Sequence, residues 1–352
     1  MLFPPPLYIL FTENRIRREG IYMEYNVAVA AMQQGQQIEG YYVIDNIQIK
    51  TSVSGSTYVS AKVSDASGSV DAKLWNFNGG IAETDSGRVV KLRGEVTEFK
   101  GNPQFNIQRI RIANEHDEYN LKELVPSAPL HEEAAVQEIR QLISTMQDDD
   151  YRGVCEELLR RHITEFRTIP AAKSVHHAFL NGLLMHTLNM LRTADFFAEL
   201  YAEVIDRDLL LAGTLLHDFG KLREFTCSEL GLVTDYSVEG KLLGHLYMGA
   251  QEVSALAAER NMPAEKSLLL QHLILSHHGQ PEFGAVVAPQ CAESELLSYI
   301  DMVDSRMEIY AETLSMTPEG KFSNKVFALD KMLFRHPMSG QNGGGNGYGY
   351  PD

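Results

Sequence analysis

Apolar and polar residues alternate with a period of two between residues 36 and 114. From about 132 to 335 the apolar positions recur every three or four residues instead. The first pattern predicts strands at 38–49, 58–64, 70–75, 89–98 and 105–113, with turn-forming clusters at 65–68 and 100–103. A glycine-bounded stretch at 78–87 leaves room for one short helix between the third and fourth strands. Five short strands with an insertion at that point suit a small Greek-key barrel of the OB type. The second pattern predicts helices at 136–146, 152–163, 178–201, 207–217, 241–260, 264–276 and 293–314, with Pro263 and Pro281 at helix boundaries. The fold expected is therefore multidomain, a small all-β barrel followed by an all-α domain.

The segments between and around these patterns complete the organisation. Residues 1–35 read as an extension and a polar, Gln-rich lead-in, 36–114 as the barrel, and 115–131 as an acidic linker with two prolines. Residues 132–335 read as the helical domain, and 336–352 as a Gly-rich tail that cannot bury a core. An apolar run at 7–11 precedes Arg15, Arg17 and Arg18, the reverse of the order in a secretory signal. Residues 17–20 can be encoded by a purine-rich run of the kind a bacterial ribosome binds, which makes Met23 the expected translation start.

Charge sharpens this division. The 352-residue chain has a formal net charge of −16, which argues against an overall basic nucleic-acid binder. Residues 36–114 escape the imbalance, with nine Lys/Arg against eight Asp/Glu. The barrel also interleaves aromatics (Tyr58, Trp75, Phe77, Phe99, Phe105) with cations (Lys62, Lys73, Lys91, Arg93, Lys100, Arg109). Stacking platforms beside cations are what a single strand requires. The nucleic-acid-binding candidates are Tyr58, Lys62, Lys73, Trp75, Phe77, Arg93, Lys100 and Phe105. The scattered Cys155, Cys227 and Cys291 form no CxxC and fit a reducing, cytoplasmic setting. No segment is long and apolar enough for a membrane helix, so no membrane partner is expected.

The helical region carries the chemistry. His186, the dipeptide His217-Asp218, and Asp301 interrupt otherwise apolar helices. A buried imidazole beside a buried carboxylate is costly without partners, and a divalent metal satisfies both. His245 and the pair His277-His278 could complete a second metal site next to the first, so that two metals clamp a phosphate between them. Lys221, one turn past the pair, is a candidate point charge for that phosphate, and Gly220 is expected to stop the preceding helix. Asp304 shares a helix face with Asp301 and is expected to support the ligands from behind. His177 precedes its helix and reads as a capping or substrate-side group.

Taken in order, HHAFLNGLLMHTLNMLR, LLHDFGKLREF, YSVEGKLLGHLYMG, LILSHHGQPEFGAVVAP and LLSYIDMVDSRM resemble the YhaM-type 3′-5′ exoribonucleases. In that family an OB-fold precedes an HD-superfamily metal-dependent phosphohydrolase domain, and the resemblance covers roughly residues 36–320. It implies His186, His217, Asp218 and Asp301 as core metal ligands, with His245, His277 and His278 as the added histidines of the two-metal subgroup. It implies one or two divalent ions per chain, Mn first and Co, Fe, Ni or Mg as other candidates. Single-stranded RNA is the implied substrate, with single-stranded DNA a second candidate, and 5′-monophosphates are the products. His217, Asp218 and Lys221 are the residues expected at the chemical step. Two readings compete: a nucleotide or cyclic-dinucleotide phosphohydrolase, and a non-catalytic RNA-binding protein with a structural metal. The sequence leaves the oligomeric state open, a homo-oligomer included.

Overall fold

The computed structural model describes residues 15–18, 21–52, 55–172, 179–228 and 230–337. His177, the residues before 15, and the Gly-rich tail from 338 onward lie outside the described residues. The chain divides into two compact units, Met1–Pro126 and Ser127–Asp352.

The first unit contains β1 (Arg15–Arg18), β2 (Ile21–Tyr25), β3 (Gln37–Thr51), β4 (Thr57–Asp65), β5 (Gly68–Leu74), β6 (Arg88–Phe99) and β7 (Asn102–Ile112). Strand β3 pairs antiparallel with β4, and β4 with β5. Strand β5 runs parallel to β7, β7 antiparallel to β6, and β6 returns antiparallel to β3. This closes a five-stranded OB-like barrel. Between β5 and β6 a single 3-10 turn, Glu83–Asp85, occupies the insertion.

Alternation drives the closure. On β6, Val90, Leu92 and Val96 face a core shared with Ile38, Ile44, Val59 and Phe105, while Lys91, Arg93 and Glu95 point outward. At Gly94 a Cβ would lie 2.3 Å from the Asn106 carbonyl oxygen, so only glycine lets β7 cross this closely. Lys100 and Gly101, both at positive φ, form the two-residue turn between Phe99 and Asn102. Its backbone twist matches that of the flanking strands.

Two segments depart from the pattern-based expectation. The lead-in supplies a hairpin, β1–β2, and β2 adds in parallel to β3 at Gln37–Glu39. Strand β4 pairs with β3 only from Val43 onward, so the start of β3 offers an open edge that β2 covers. The expected linker folds back onto the barrel over its first half. Arg111 donates to both oxygens of Asp117 at 2.6 Å, the Tyr41 hydroxyl donates to the same carboxylate, and α1 (Leu121–Leu124) buries Leu124.

The second unit contains α2 (Glu132–Ser144), α3 (Asp149–Thr168), α4 (Gly182–Leu200), α5 (Arg207–Leu216), α6 (Lys221–Glu224), β8 (Phe225–Cys227) and β9 (Val233–Tyr236). It continues with α7 (Val238–Glu259), α8 (Ala264–Ser276), α9 (Ala292–Ser315), β10 (Lys321–Phe322) and β11 (Phe334–Arg335). The helical expectation holds for the core, with two short hairpins added where helical periodicity lapses. Helix α5 is the axis of this unit. Every residue from Asp208 to Leu216 is buried, which marks a helix surrounded by others. Asp206 caps it by accepting from the amides of Asp208 and Leu209. Each fully buried leucine of this helix contributes about 1.5–3 kcal/mol. The C-terminus of α5 thus delivers His217 and Asp218 into the core. No helix among the described residues is long and apolar enough to cross a membrane.

Candidate metal centre

Five stretches of the helical unit converge around Asp218. His186 comes from the start of α4, His217 and Asp218 from the end of α5, and His245 from α7. His277 and His278 follow the end of α8, and Asp301 lies in α9. Helix α5 ends at Leu216, before Gly220, which is itself right-handed with φ −58°. The need for glycine at this position is a close approach, since a Cβ there would meet the His245 carbonyl oxygen at 2.1 Å.

Asp218 divides its two oxygens between two groups of histidines. Its Oδ2 lies 3.3 Å from His217 Nε2 and 3.8 Å from His186 Nε2. His186 Nε2 is also 3.4 Å from Asp301 Oδ1 and 3.2 Å from His217 Nε2. Asp218 Oδ1 lies 3.6 Å from His245 Nε2 and 3.7 Å from His277 Nε2. The structure thus offers two ligand sets, His186–His217–Asp218 and His245–His277–His278, whose donor atoms converge within each set.

The far side of each ring is held in place. His186 Nδ1 lies 2.7 Å from Asp304 Oδ2, and His245 Nδ1 lies 3.1 Å from Glu224 Oε1. His217 Nδ1 and His277 Nδ1 each sit 2.8 Å from a backbone carbonyl, of Thr214 and Ile274. A carbonyl only accepts, so in both rings Nδ1 carries the proton and Nε2 presents its lone pair inward. Outer partners of this kind orient metal-ligating imidazoles.

The residues fit a divalent cation. Asp218 Oδ1, His245 Nε2 and His278 Nδ1 are buried and have no hydrogen-bond partner among the described residues. Orphaned acceptors in one small volume carry a large desolvation cost, which a cation removes. Charge balance points the same way. Burial would push the Asp218 carboxyl up, yet Lys221 and His217 hold it well below the usual range. Burial would lower the His186 imidazole, but Asp301 and Asp304 raise it to about 10, so without a metal a proton holds the place beside these carboxylates that a bound cation would take. His277 is pushed down by burial and by its histidine neighbours, which keeps it neutral and able to ligate.

The other candidates divide. Lys221 Nζ sits 2.6 Å from Asp218 Oδ2, so its charge is committed to that carboxylate rather than standing free for a phosphate. Glu224 carried no signal in the sequence, yet it is buried and accepts from both the amide and the ring of His245. A break in α7 at Gly244, with φ 72°, frees that amide from the helix ladder. The carbonyls of Thr214 and Ile274 are backbone and have no residue signature. Beside the ligands opens a cavity of about 460 Å³, bordered by Asp218, Lys221 and the exposed side of α9.

On the barrel, Tyr58, Lys73 and Trp75 come together. The two rings are 4.9 Å apart, Lys73 Nζ lies 5.4 Å from the Tyr58 ring centre, and Trp75 is 48% exposed. Lys62 is exposed opposite Asp71, and Lys100 sits at the β6–β7 turn against Phe99. Arg93 lines a separate groove with Lys91, Arg109 and Arg111 on β6 and β7. Phe105 corrects the expectation of a stacking residue. It has no exposed surface and fills the barrel core, because its place on β7 alternates inward. Phe77 packs largely against the same core.

Residues 183–306 match the family model described as HD domain. The matched segment includes all seven candidate ligands, and an HD domain indicates a metal-dependent phosphohydrolase. The chain is also similar in structure to a replication protein A heterotrimer bound to ssDNA, at 15% identity over 29% of this chain and 75% of that one, with a TM-score of 0.20. A second likeness is to the second OB-fold domain of replication protein A from Methanococcus maripaludis, at 16% identity over 26% of this chain and 98% of that one, with a TM-score of 0.18. The barrel's class rests on its strand order and closure rather than on these scores.

Proposed function

We propose that the protein is a metal-dependent 3′-5′ exoribonuclease of the YhaM type, which shortens single-stranded RNA, with single-stranded DNA a second candidate substrate, to nucleoside 5′-monophosphates. The observation that carries this reading is Asp218, set between two groups of histidines at the edge of an open cavity, in a chain that also holds an OB-like barrel. An exposed Tyr58–Lys73–Trp75 patch on that barrel supports a single-stranded substrate, because stacking on aromatics needs unpaired bases.

Divalent cations held by His186, His217, Asp218, Asp301, His245, His277 and His278 would supply Lewis-acid polarisation of the scissile phosphate and ease deprotonation of water. Asp218 shares its charge between both groups of ligands and keeps them in register. Asp304 and Glu224 fix the rings of His186 and His245. Lys221 neutralises part of the charge on Asp218 and holds its Oδ2 in place. Hydroxide adds to phosphorus in line, the bond to the 3′-oxygen of the upstream nucleotide breaks, and that oxygen takes a proton from solvent. The terminal nucleotide leaves with its 5′-phosphate.

The test is a time course on a 5′-labelled single-stranded RNA with Mn present or chelated, beside Asp218→Ala. A ladder shortening from the 3′ end, abolished by chelation and reduced roughly a thousandfold in the variant, is the expected result. RNA that stays intact in Mn while still bound by the protein would overturn the reading. A full rate on free or cyclic nucleotides after deletion of residues 23–125 would point to the small-molecule phosphohydrolase instead.

A further inference from the structure

Helix α9 does more than supply Asp301. Glu295, Ser298, Tyr299, Met302, Ser305 and Arg306 all line the cavity beside the metal centre. Their spacing places them in one stripe along the exposed side of the helix. Asp301 lines the same cavity between the two ends of this stripe. The ends differ in sign: a carboxylate at Glu295 and a guanidinium at Arg306.

Neither end is neutralised by its surroundings. Among the described residues Arg306 makes no ion pair, although the chain carries a net charge of −16 and most of its arginines find carboxylates. Lys221, the other lysine or arginine bordering the cavity among the described residues, is committed to Asp218. Glu295 is exposed and has no cation partner among the described residues. It interacts with the Tyr299 hydroxyl one turn on, which raises the pKa of that phenol. Tyr299 and Phe283 add apolar surface, being 52% and 74% exposed on the cavity border. A positive φ at Gly279 turns the chain here and brings its backbone near the Ser298 side chain.

We infer that this stripe sets the polarity of the substrate. Glu295 accepts hydrogen bonds from the 2′- and 3′-hydroxyls of the terminal ribose, and Arg306 pairs with the phosphate one nucleotide upstream of the scissile bond. Glu295 and Arg306 lie on opposite sides of Asp301, six and five residues away, which is about 9 Å and about 7.5 Å along the helix axis. Those lengths are comparable with one sugar–phosphate unit on each side of a phosphate held at Asp301. A carboxylate has enough lone-pair sites to take a vicinal diol and still keep Tyr299. It repels a 3′-phosphate, and only an end with free hydroxyls suits it. An arginine offers a planar fork to the upstream phosphate. The base of the terminal nucleotide finds Tyr299 and Phe283 as stacking surfaces.

This inference rests on the exonuclease reading, and three substrates separate the two. The first is RNA ending in a 3′-hydroxyl, the second the same RNA ending in a 3′-phosphate. The third is p-nitrophenyl thymidine 5′-phosphate, a diester with a terminal nucleoside but no upstream phosphate. The parent protein should degrade the 3′-phosphate RNA about tenfold more slowly than the 3′-hydroxyl RNA, and Glu295→Gln should close most of that gap. Arg306→Ala should raise the KM for a trinucleotide about tenfold relative to that for the chromogenic diester, with kcat little moved, and Arg306→Lys should recover part of it. Both side chains are solvent-exposed, so the variants should melt with the parent. Unchanged ratios in variants that still shorten RNA overturn the inference alone. Hydrolysis of the chromogenic diester beside intact 3′-hydroxyl RNA overturns the exonuclease reading and this inference with it.

Discussion

The two units keep their polar chemistry on opposite sides of their cores. In the barrel, β6 turns Val90, Leu92 and Val96 inward and leaves Lys91 and Arg93 outside, so the candidate binding groups stand on a scaffold that does not need them. In the helical unit four of the seven candidate ligands lie in the core: His217 has no exposed surface, His277 has 1%, and Asp218 and His186 have 2% each. A surface patch can be altered with little effect on stability, whereas a buried cluster of acids and imidazoles is coupled to folding through every partner it lacks or gains. Binding and catalysis should therefore respond very differently to substitution.

The sharpest way to break this contrast is Phe105→Ala, which removes an aromatic from the barrel core. It should cost about 3–5 kcal/mol in denaturant unfolding of the barrel, a stability loss rather than a loss of stacking. An unchanged unfolding midpoint with weakened RNA binding would mean that Phe105 serves the surface after all.

On the buried side, Asp304→Asn should leave the fold intact and weaken metal affinity about 10–100-fold, because His186 loses the carboxylate that orients its ring. Calorimetric titration of the metal-free protein with Mn reads this directly. Equal affinities in parent and variant would reduce Asp304 to a bystander.

Trp75→Ala tests the exposed side. Loss of one stacking surface should weaken binding of a single-stranded RNA by about 1–3 kcal/mol, measured by anisotropy in the chelated protein. The melting temperature should stay near that of the parent. A large drop in melting temperature would place Trp75 with the core instead.

The smallest effect concerns a pair remote from the ligands. His162 Nε2 lies 2.6 Å from Glu252 Oε1, and the hydrogen bond raises the histidine and lowers the glutamate. The raised histidine contributes its stability in full below its unfolded value of 6.5, and loses it as pH rises through the folded value. The lowered glutamate contributes above 4.5 and loses it as pH falls. Stability from this pair, roughly 1 kcal/mol, should peak between those two values, and His162→Gln should flatten the alkaline side. An alkaline slope that survives the substitution would assign it to other groups.

Much of this molecule was legible along the chain because the periods differ. Alternation placed the five barrel strands within a few residues of their observed ends, and the apolar runs of three- and four-residue spacing placed α5, α8 and α9. His-Asp in an apolar helix pointed to metal chemistry because few other arrangements tolerate it. Proximity in space was not legible. Glu224 is an ordinary acid in KLREF until the break at Gly244 turns the amide and ring of His245 toward it. The stripe from Glu295 to Arg306 reads as a solvated helix face until the cavity beside Asp301 gives it something to face.

The sequence by itself determined the order of barrel and helices and the kind of chemistry, since patterning and residue type are properties of the chain. Only the tertiary structure decided which oxygen of Asp218 faces which histidines, that Phe105 points inward, and that β2 completes an edge of β3. Those outcomes depend on close approach between segments far apart in sequence, where packing and lone-pair direction, not local preference, set the geometry.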